Sequence, residues 1–248
     1  MSVDDFIFYV LISVLPCIIW LLFYLRQDVN PESTKKIIEI FFLGMVMVLP
    51  ALLLETFFES LMPTQRVDSS LLLLPIYYIV GVGLVEELLK YLVVKFRVID
   101  SSHFDEPIDV IIYLIVAGLG FATIENIVVI FNIETLEEAA IISTIRLLTA
   151  IFIHTLSAAI TGYFWAFSFT LNRRLKRGVS FVSGIIGASI LHGVYDISII
   201  KIETAQTLFS FLLPVVIIIF AGILVSILFS KVKKLSRTCK IKHADIYE

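Results

Sequence analysis

The sequence predicts an all-α polytopic membrane protein of about seven transmembrane helices, with its N-terminus outside and its C-terminus in the cytoplasm. Three observations predict it. Hydrophobic residues make up 59% of the 248 residues and charged ones only 17%, against about a quarter in soluble domains. Apolar runs continue past the roughly 20 residues that span a bilayer, instead of alternating over short strands as a membrane barrel would. The basic residues gather on one side of those runs. Mean hydropathy is +0.99, which excludes a soluble globular enzyme and a disordered chain. A net charge of -3 argues against a phosphate-binding surface, so the expected surroundings are the lipid bilayer and not a nucleic acid.

The spans fall at about 5–25, 37–60, 70–95, 107–132, 139–171, 180–200 and 206–230, in a single helical domain over 1–248 with a basic tail from 231. The acidic start (Asp4, Asp5) lacks the basic region of a signal peptide, so the first helix is expected to stay. Short polar connections separate the spans, such as Arg26–Glu32 and Asn172–Gly178. Pro31, Pro63 and Pro107 stand where helices stop or start. Pro16, Pro50, Pro75 and Pro214 lie inside apolar runs, where neighbouring helices can re-satisfy a kinked backbone. With the N-terminus outside, fifteen of the 19 Lys and Arg residues fall inside and two, Arg66 and Lys201, outside; Lys90 and Arg146 lie within helices. Cys17 and Cys239 are too far apart in this arrangement to suggest a disulfide.

Ionisable residues inside apolar runs carry the functional information, because a charge at the bilayer centre costs about 2.5–3.5 kcal/mol on insertion scales. Helix three places Glu86 and Glu87 within one turn of Lys90, so one ammonium partly neutralises two carboxylates that can share a proton. Helix four carries Glu125 and Asn126, with Gly118, Phe121 and Glu125 on one face. Helix five aligns Arg146, Ala150, His154, Ser157, Ala158 and Thr161, and helix six aligns Gly184, Ala188, His192 and Asp196. Glu55 and Glu59 are expected near an interface. If these faces meet, Glu86, Glu87, Glu125, His154 and His192 form a buried hydrolytic site. Two histidines and a carboxylate (His154, His192, Glu125) match a catalytic zinc set, and a metal-free water activated by glutamate fits equally well. A proton or ion pathway through the same groups is the non-enzymatic alternative. The sequence contains no His-Glu-x-x-His, and Gly81-Val82-Gly83 is followed by Leu84 where an aspartyl intramembrane protease needs Asp.

The ordered set Glu86-Glu87-x-x-Lys90, Asp105-Glu106-Pro107-x-Asp109, Gly118-Leu119-Gly120-Phe121-Ala122-x-x-Glu125-Asn126, Arg146, His154 and His192-Gly193-x-x-Asp196 resembles the PrsW family of bacterial intramembrane proteases. The resemblance covers about 80–200, within a catalytic core of about 70–200, and departs from the family where Val110 replaces a glycine. It implies a multi-pass protein of the bacterial plasma membrane. Its substrate would be a single-span anti-sigma factor, given its first (site-1) cut on the extracytoplasmic side. The family is similar to the CAAX-type and bacteriocin-processing proteases, which leaves another peptide substrate as an alternative. By position, Glu86 and Glu87 would include the water-activating base, Glu125, His154 and His192 would complete the site, and Lys90, Asn126, Arg146 and Asp196 would support it. Counted from Ser70, Glu86 is 16 residues along its helix, or about 24 Å, a depth nearer the cytoplasm than such a cut requires.

Overall fold

A computed structural model describes residues 2–27, 30–62, 73–101 and 103–236, and within these every regular element is helical. The expected positions of Arg66, Ser70, Cys239 and the end of the basic tail lie outside the described residues. Six helical stretches are long and apolar enough to cross a membrane: Val3–Leu25, Thr34–Leu61, Pro107–Phe131, Leu136–Ser168, Arg174–Ile202 and Leu208–Lys234. The seventh expected span is also a continuous helical run, from Leu73 to Arg97, but Glu86, Glu87 and Lys90 make it too charged to qualify on composition.

Helix α1 (Val3–Leu25) begins with a reciprocal capping box between Ser2 and Asp5. The second span is broken into α2 (Thr34–Val46) and α3 (Val48–Leu61) at Met47. Pro50 lies just beyond the break, where its missing N–H leaves a carbonyl of the preceding turn without its helical partner. The third run is α4 (Leu73–Ile76), a π-helical segment over Tyr77–Leu84, and α5 (Val85–Arg97). Such widened turns concentrate at functional sites, and this one delivers the chain directly to Glu86.

Helix α6 (Pro107–Phe131) is apolar on all sides and buried over most of its length, as a central core helix must be. The acidic motif before it is a helix start: Asp109 Oδ2 accepts from the backbone N–H of Asp105 (3.0 Å) and Glu106 (2.7 Å), with Pro107 at the first helical position. The span expected at 139–171 starts earlier and is two helices, α7 (Leu136–Leu148) and α8 (Ala150–Ser168). They part at Thr149, whose φ and ψ of -125° and -92° are not helical. The stripe expected to run from Arg146 through His154 is therefore interrupted. Helix α9 (Arg174–Ala205) begins six residues before the expected 180, inside what reads as a polar connection. Arg and Lys are good helix formers whose long side chains reach water from a helix end, so the basic stretch extends the helix. Helix α10 (Leu208–Ser236) closes the chain.

Helix α6 packs against α1, α2 and α8, while α9 packs against α8 and the π-helical segment. The α9 contact depends on glycine. A Cβ on Gly193 would stand 2.5 Å from the carbonyl oxygen of Tyr78, and one on Gly83 would stand 2.7 Å from that of Ser189. The two backbones thus touch without side chains between them, as small residues permit in membrane bundles. Helix α1 is fixed along α6–α8 by polar bonds, including Trp20 Nε1 to the Leu147 carbonyl (2.7 Å) and Ser143 Oγ to the Ile12 carbonyl (2.5 Å).

Candidate active site

Four helices bring their charged groups together. Helix α5 supplies Glu86, Glu87 and Lys90 from its first turns, α6 supplies Glu125, α8 His154, and α9 His192 and Asp196. Lys90 is fully buried, which requires partners for its charge. Its Nζ lies 2.8 Å from Glu87 Oε1, 3.2 Å from Glu86 Oε2 and 3.0 Å from His154 Nδ1. It also sits 5.0 Å from the centre of the Phe121 ring.

The two carboxylates of the pair are used differently. Glu87 Oε1 receives Lys90 Nζ, Ser157 Oγ (2.8 Å) and lies 3.2 Å from His192 Nδ1. Glu86 Oε2 faces both imidazoles, 3.7 Å from His154 Nδ1 and 3.7 Å from His192 Nε2. The rings stand edge to face, 4.9 Å between centres. Each histidine also meets a further carboxylate: His154 Nε2 is 2.7 Å from Glu125 Oε2, and His192 Nε2 is 3.8 Å from Asp196 Oδ2. Glu86, Glu87, His154 and His192 are buried, whereas Glu125 and Asp196 retain 29% and 23% side-chain exposure. Glu125 and Asp196 are thus the members of the group that reach the surface of the bundle.

Gly118, Phe121 and Glu125 form the α6 wall. A Cβ on Gly118 would be 3.2 Å from the His154 carbonyl, and the Phe121 ring lies 6.0 Å from the His154 ring. Asn126 and Arg146 flank this group, Arg146 within electrostatic range of Glu125 and Asp196. Asn126 Nδ2 donates to the Ser13 carbonyl (2.6 Å), and its Oδ1 accepts from Arg146 Nε (2.7 Å), so the pair braces α6 against α1 and α7. Two residues join the site that the sequence pattern alone left out of it. Ser157 is one; its place one turn beyond His154 was the available signal. Glu55 is the other. It shares the inward face of α3 with Ala51 and Phe58 and is within electrostatic range of Glu125, His192, Asp196 and Lys90.

One oxygen of Glu86 and one nitrogen each from His154 and His192 lie within 4.8 Å of one another. Ligand atoms on a tetrahedral zinc with bonds of about 2.0–2.2 Å stand roughly 3.3–3.6 Å apart, close to the two 3.7 Å separations here. The set that fits a cation is therefore Glu86, His154 and His192. Glu125, expected as the ligand, is engaged with the far nitrogen of His154. A second acidic group, Glu32, Asp105 and Asp109, lies at the other end of α6 and belongs to its helix start.

A membrane-spanning chain whose described residues are helical, and which buries paired glutamates against two histidines, has the chemical parts of an intramembrane hydrolase. Comparison with known proteins agrees. Residues 32–223 match the family described as PrsW family intramembrane metalloprotease. Protease PrsW of Geobacillus kaustophilus is 30% identical over 177 residues, covering 70% of this chain and 71% of the relative. That of Clostridioides difficile is 30% identical over 210 residues (84% and 85%), and that of Bacillus subtilis 28% over 175 (70% and 74%). No solved structure matches the chain. The chain belongs to the PrsW family of intramembrane proteases and is a multi-pass bacterial membrane protein.

Proposed function

We propose that this chain is an endopeptidase that makes the first cut in a single-span anti-sigma factor, using water activated at Glu86. The observation that carries the reading is the unequal use of the glutamate pair. Glu87 Oε1 takes Lys90, Ser157 and the Nδ1 side of His192, whereas Glu86 shares Lys90 at the longer 3.2 Å and turns the same oxygen toward both imidazoles at 3.7 Å, so Glu86 is the less engaged of the two and the better placed to take a water proton. Glu86 takes that proton as the hydroxide adds to the scissile carbonyl, and the proton then passes to the leaving amine. Lys90 and the imidazole edges supply the positive potential that favours the oxyanion. Glu125 holds His154 in position from the exposed side.

The donor set Glu86, His154 and His192 would also hold a divalent cation such as zinc. When bound, the ion would supply Lewis acidity to the water and the carbonyl. His154 Nδ1 is 3.0 Å from Lys90 Nζ, so that nitrogen serves either the ammonium or a cation. Cleavage that survives exhaustive chelation of the purified protein would leave the ammonium-neutralised glutamate as the working form.

An extracytoplasmic cut is supported by the position of Glu125 along α6. Glu125 is six residues from the Phe131 end of α6, or about 9 Å, and the distribution of Lys and Arg puts that end outside. Glu86 and Glu125 meet at His154, so the depth counted along helix three and that counted along α6 describe one site, whose depth we take from the α6 count. The test is co-expression of an epitope-tagged single-span anti-sigma factor with wild type, Glu86→Ala and Glu87→Ala. Wild type should release the shortened fragment, and either variant should insert normally yet lose at least about 100-fold in cleavage rate. Full cleavage by the double variant would refute the reading.

A further inference from the structure

Among the described buried serines, Ser157 differs in its acceptor: Ser143 and Ser180 also reach another helix, but there they meet backbone carbonyls, whereas Ser157 meets a carboxylate. Ser168, Ser189 and Ser198 each donate to a carbonyl one turn back in their own helix, at 2.6, 2.7 and 2.6 Å. That is the usual outlet for serine in an apolar helix. Ser157 has the same outlet in the His154 carbonyl, but there the distance is 3.2 Å, and its closer partner is Glu87 Oε1 at 2.8 Å, on a different helix. Ser157 is 0% exposed, so no solvent competes for the bond.

The receiving oxygen also faces His192 Nδ1 at 3.2 Å. A carboxylate at Nδ1 holds a proton there and fixes the orientation of the ring. Nε2 is thereby turned to the side where Glu86 Oε2 and Asp196 Oδ2 lie, at 3.7 and 3.8 Å. We propose that Ser157 is a positioning residue: by donating to Glu87 it holds the carboxylate on His192 Nδ1 and keeps the Nε2 edge turned toward the reacting side. The connection to catalysis rests on the hydrolytic reading above; the connection to His192 does not.

The experiment uses the full chain in lipid nanodiscs with 15N-labelled histidine, the His192 signal being identified with His192→Gln. At one fixed pH, wild type and Ser157→Thr should show His192 protonated at Nδ1. Ser157→Ala should show a mixture of tautomers, and Ser157→Cys, a weak donor of similar volume, should match it if Ala disturbs insertion. In the cleavage assay, Ser157→Ala should lower kcat about 10- to 100-fold with KM unchanged, and Ser157→Thr should restore it. An unaltered His192 spectrum in Ser157→Ala overturns the proposal whether or not any substrate is cut, and so does an altered spectrum with kcat intact. A wild type that cleaves nothing removes the hydrolytic reading, while the spectrum still decides the link from Ser157 to His192.

Discussion

Glu125 shows how a single residue can matter without being the attacking group. Its Oε2 lies 2.7 Å from His154 Nε2, on the face of the imidazole turned away from Glu86. A carboxylate in that place fixes ring orientation and raises ligand basicity, and removing such partners costs about 10- to 100-fold in activity or metal affinity. Glu125→Gln is therefore expected to cleave about 10- to 100-fold more slowly than wild type, a smaller loss than Glu86→Ala. Initial rates on the same single-span substrate measure the difference. If a cation is held, Glu86→Gln and His192→Gln should each abolish the metal content of protein purified without chelator, while Glu125→Gln should retain it. Elemental analysis reads this directly. Asn126, expected in a supporting place, has both ends of its amide engaged, with Ser13 and Arg146.

At the scale of elements, the contact between the π-helical segment and α9 fixes the site, because Glu86 follows that segment directly and His192 precedes Gly193. A methyl on Gly193 would meet the backbone at Tyr78 and Ile79 at 2.5–2.7 Å, and backbone cannot rotate aside as a side chain can. Gly193→Ala is expected to lower thermal stability, by the ~1–3 kcal/mol typical of overpacking, and to lower cleavage with it. Gly178, in the same helix, has open space on every side, with nothing within 4 Å of where an alanine methyl would stand. Gly178→Ala should therefore be neutral or stabilise by about 0.5–1 kcal/mol. Thermal unfolding of both variants in detergent tests the contrast. The breaks at Met47 and Thr149 do similar work. The first separates α3, which carries Glu55, from α2, and the second frees α8, which carries His154, from the direction of α7.

For the whole molecule, the distribution of basic residues predicts a C-terminus in the cytoplasm and the Glu125 end of α6 outside. In a background with Cys17 and Cys239 replaced, a cysteine at the exposed Glu137 should react with an impermeant maleimide on intact cells, and one at Lys234 only after permeabilisation. The reverse pattern would place that end on the cytoplasmic side. The approximate places of the helices and the identity of the buried charges were legible in the sequence, but not the breaks at Met47 and Thr149 or the early start of α9. Burying a charge in lipid is costly wherever its partner lies, so Glu86, Glu87, Lys90, Glu125, His154 and His192 stand out one by one against their apolar neighbours. Their division of labour was not legible. Lys90 meets His154 across 64 residues of chain, and Glu87 meets His192 across 105. Which oxygen faces which ring follows from how closely separate helices approach and from where each is broken, and no local periodicity records either. The sequence by itself determined the membrane class and the chemical parts; only the packing of the helices decided which of them meet, Glu87 with Lys90, Ser157 and His192, and Glu86 with both imidazoles.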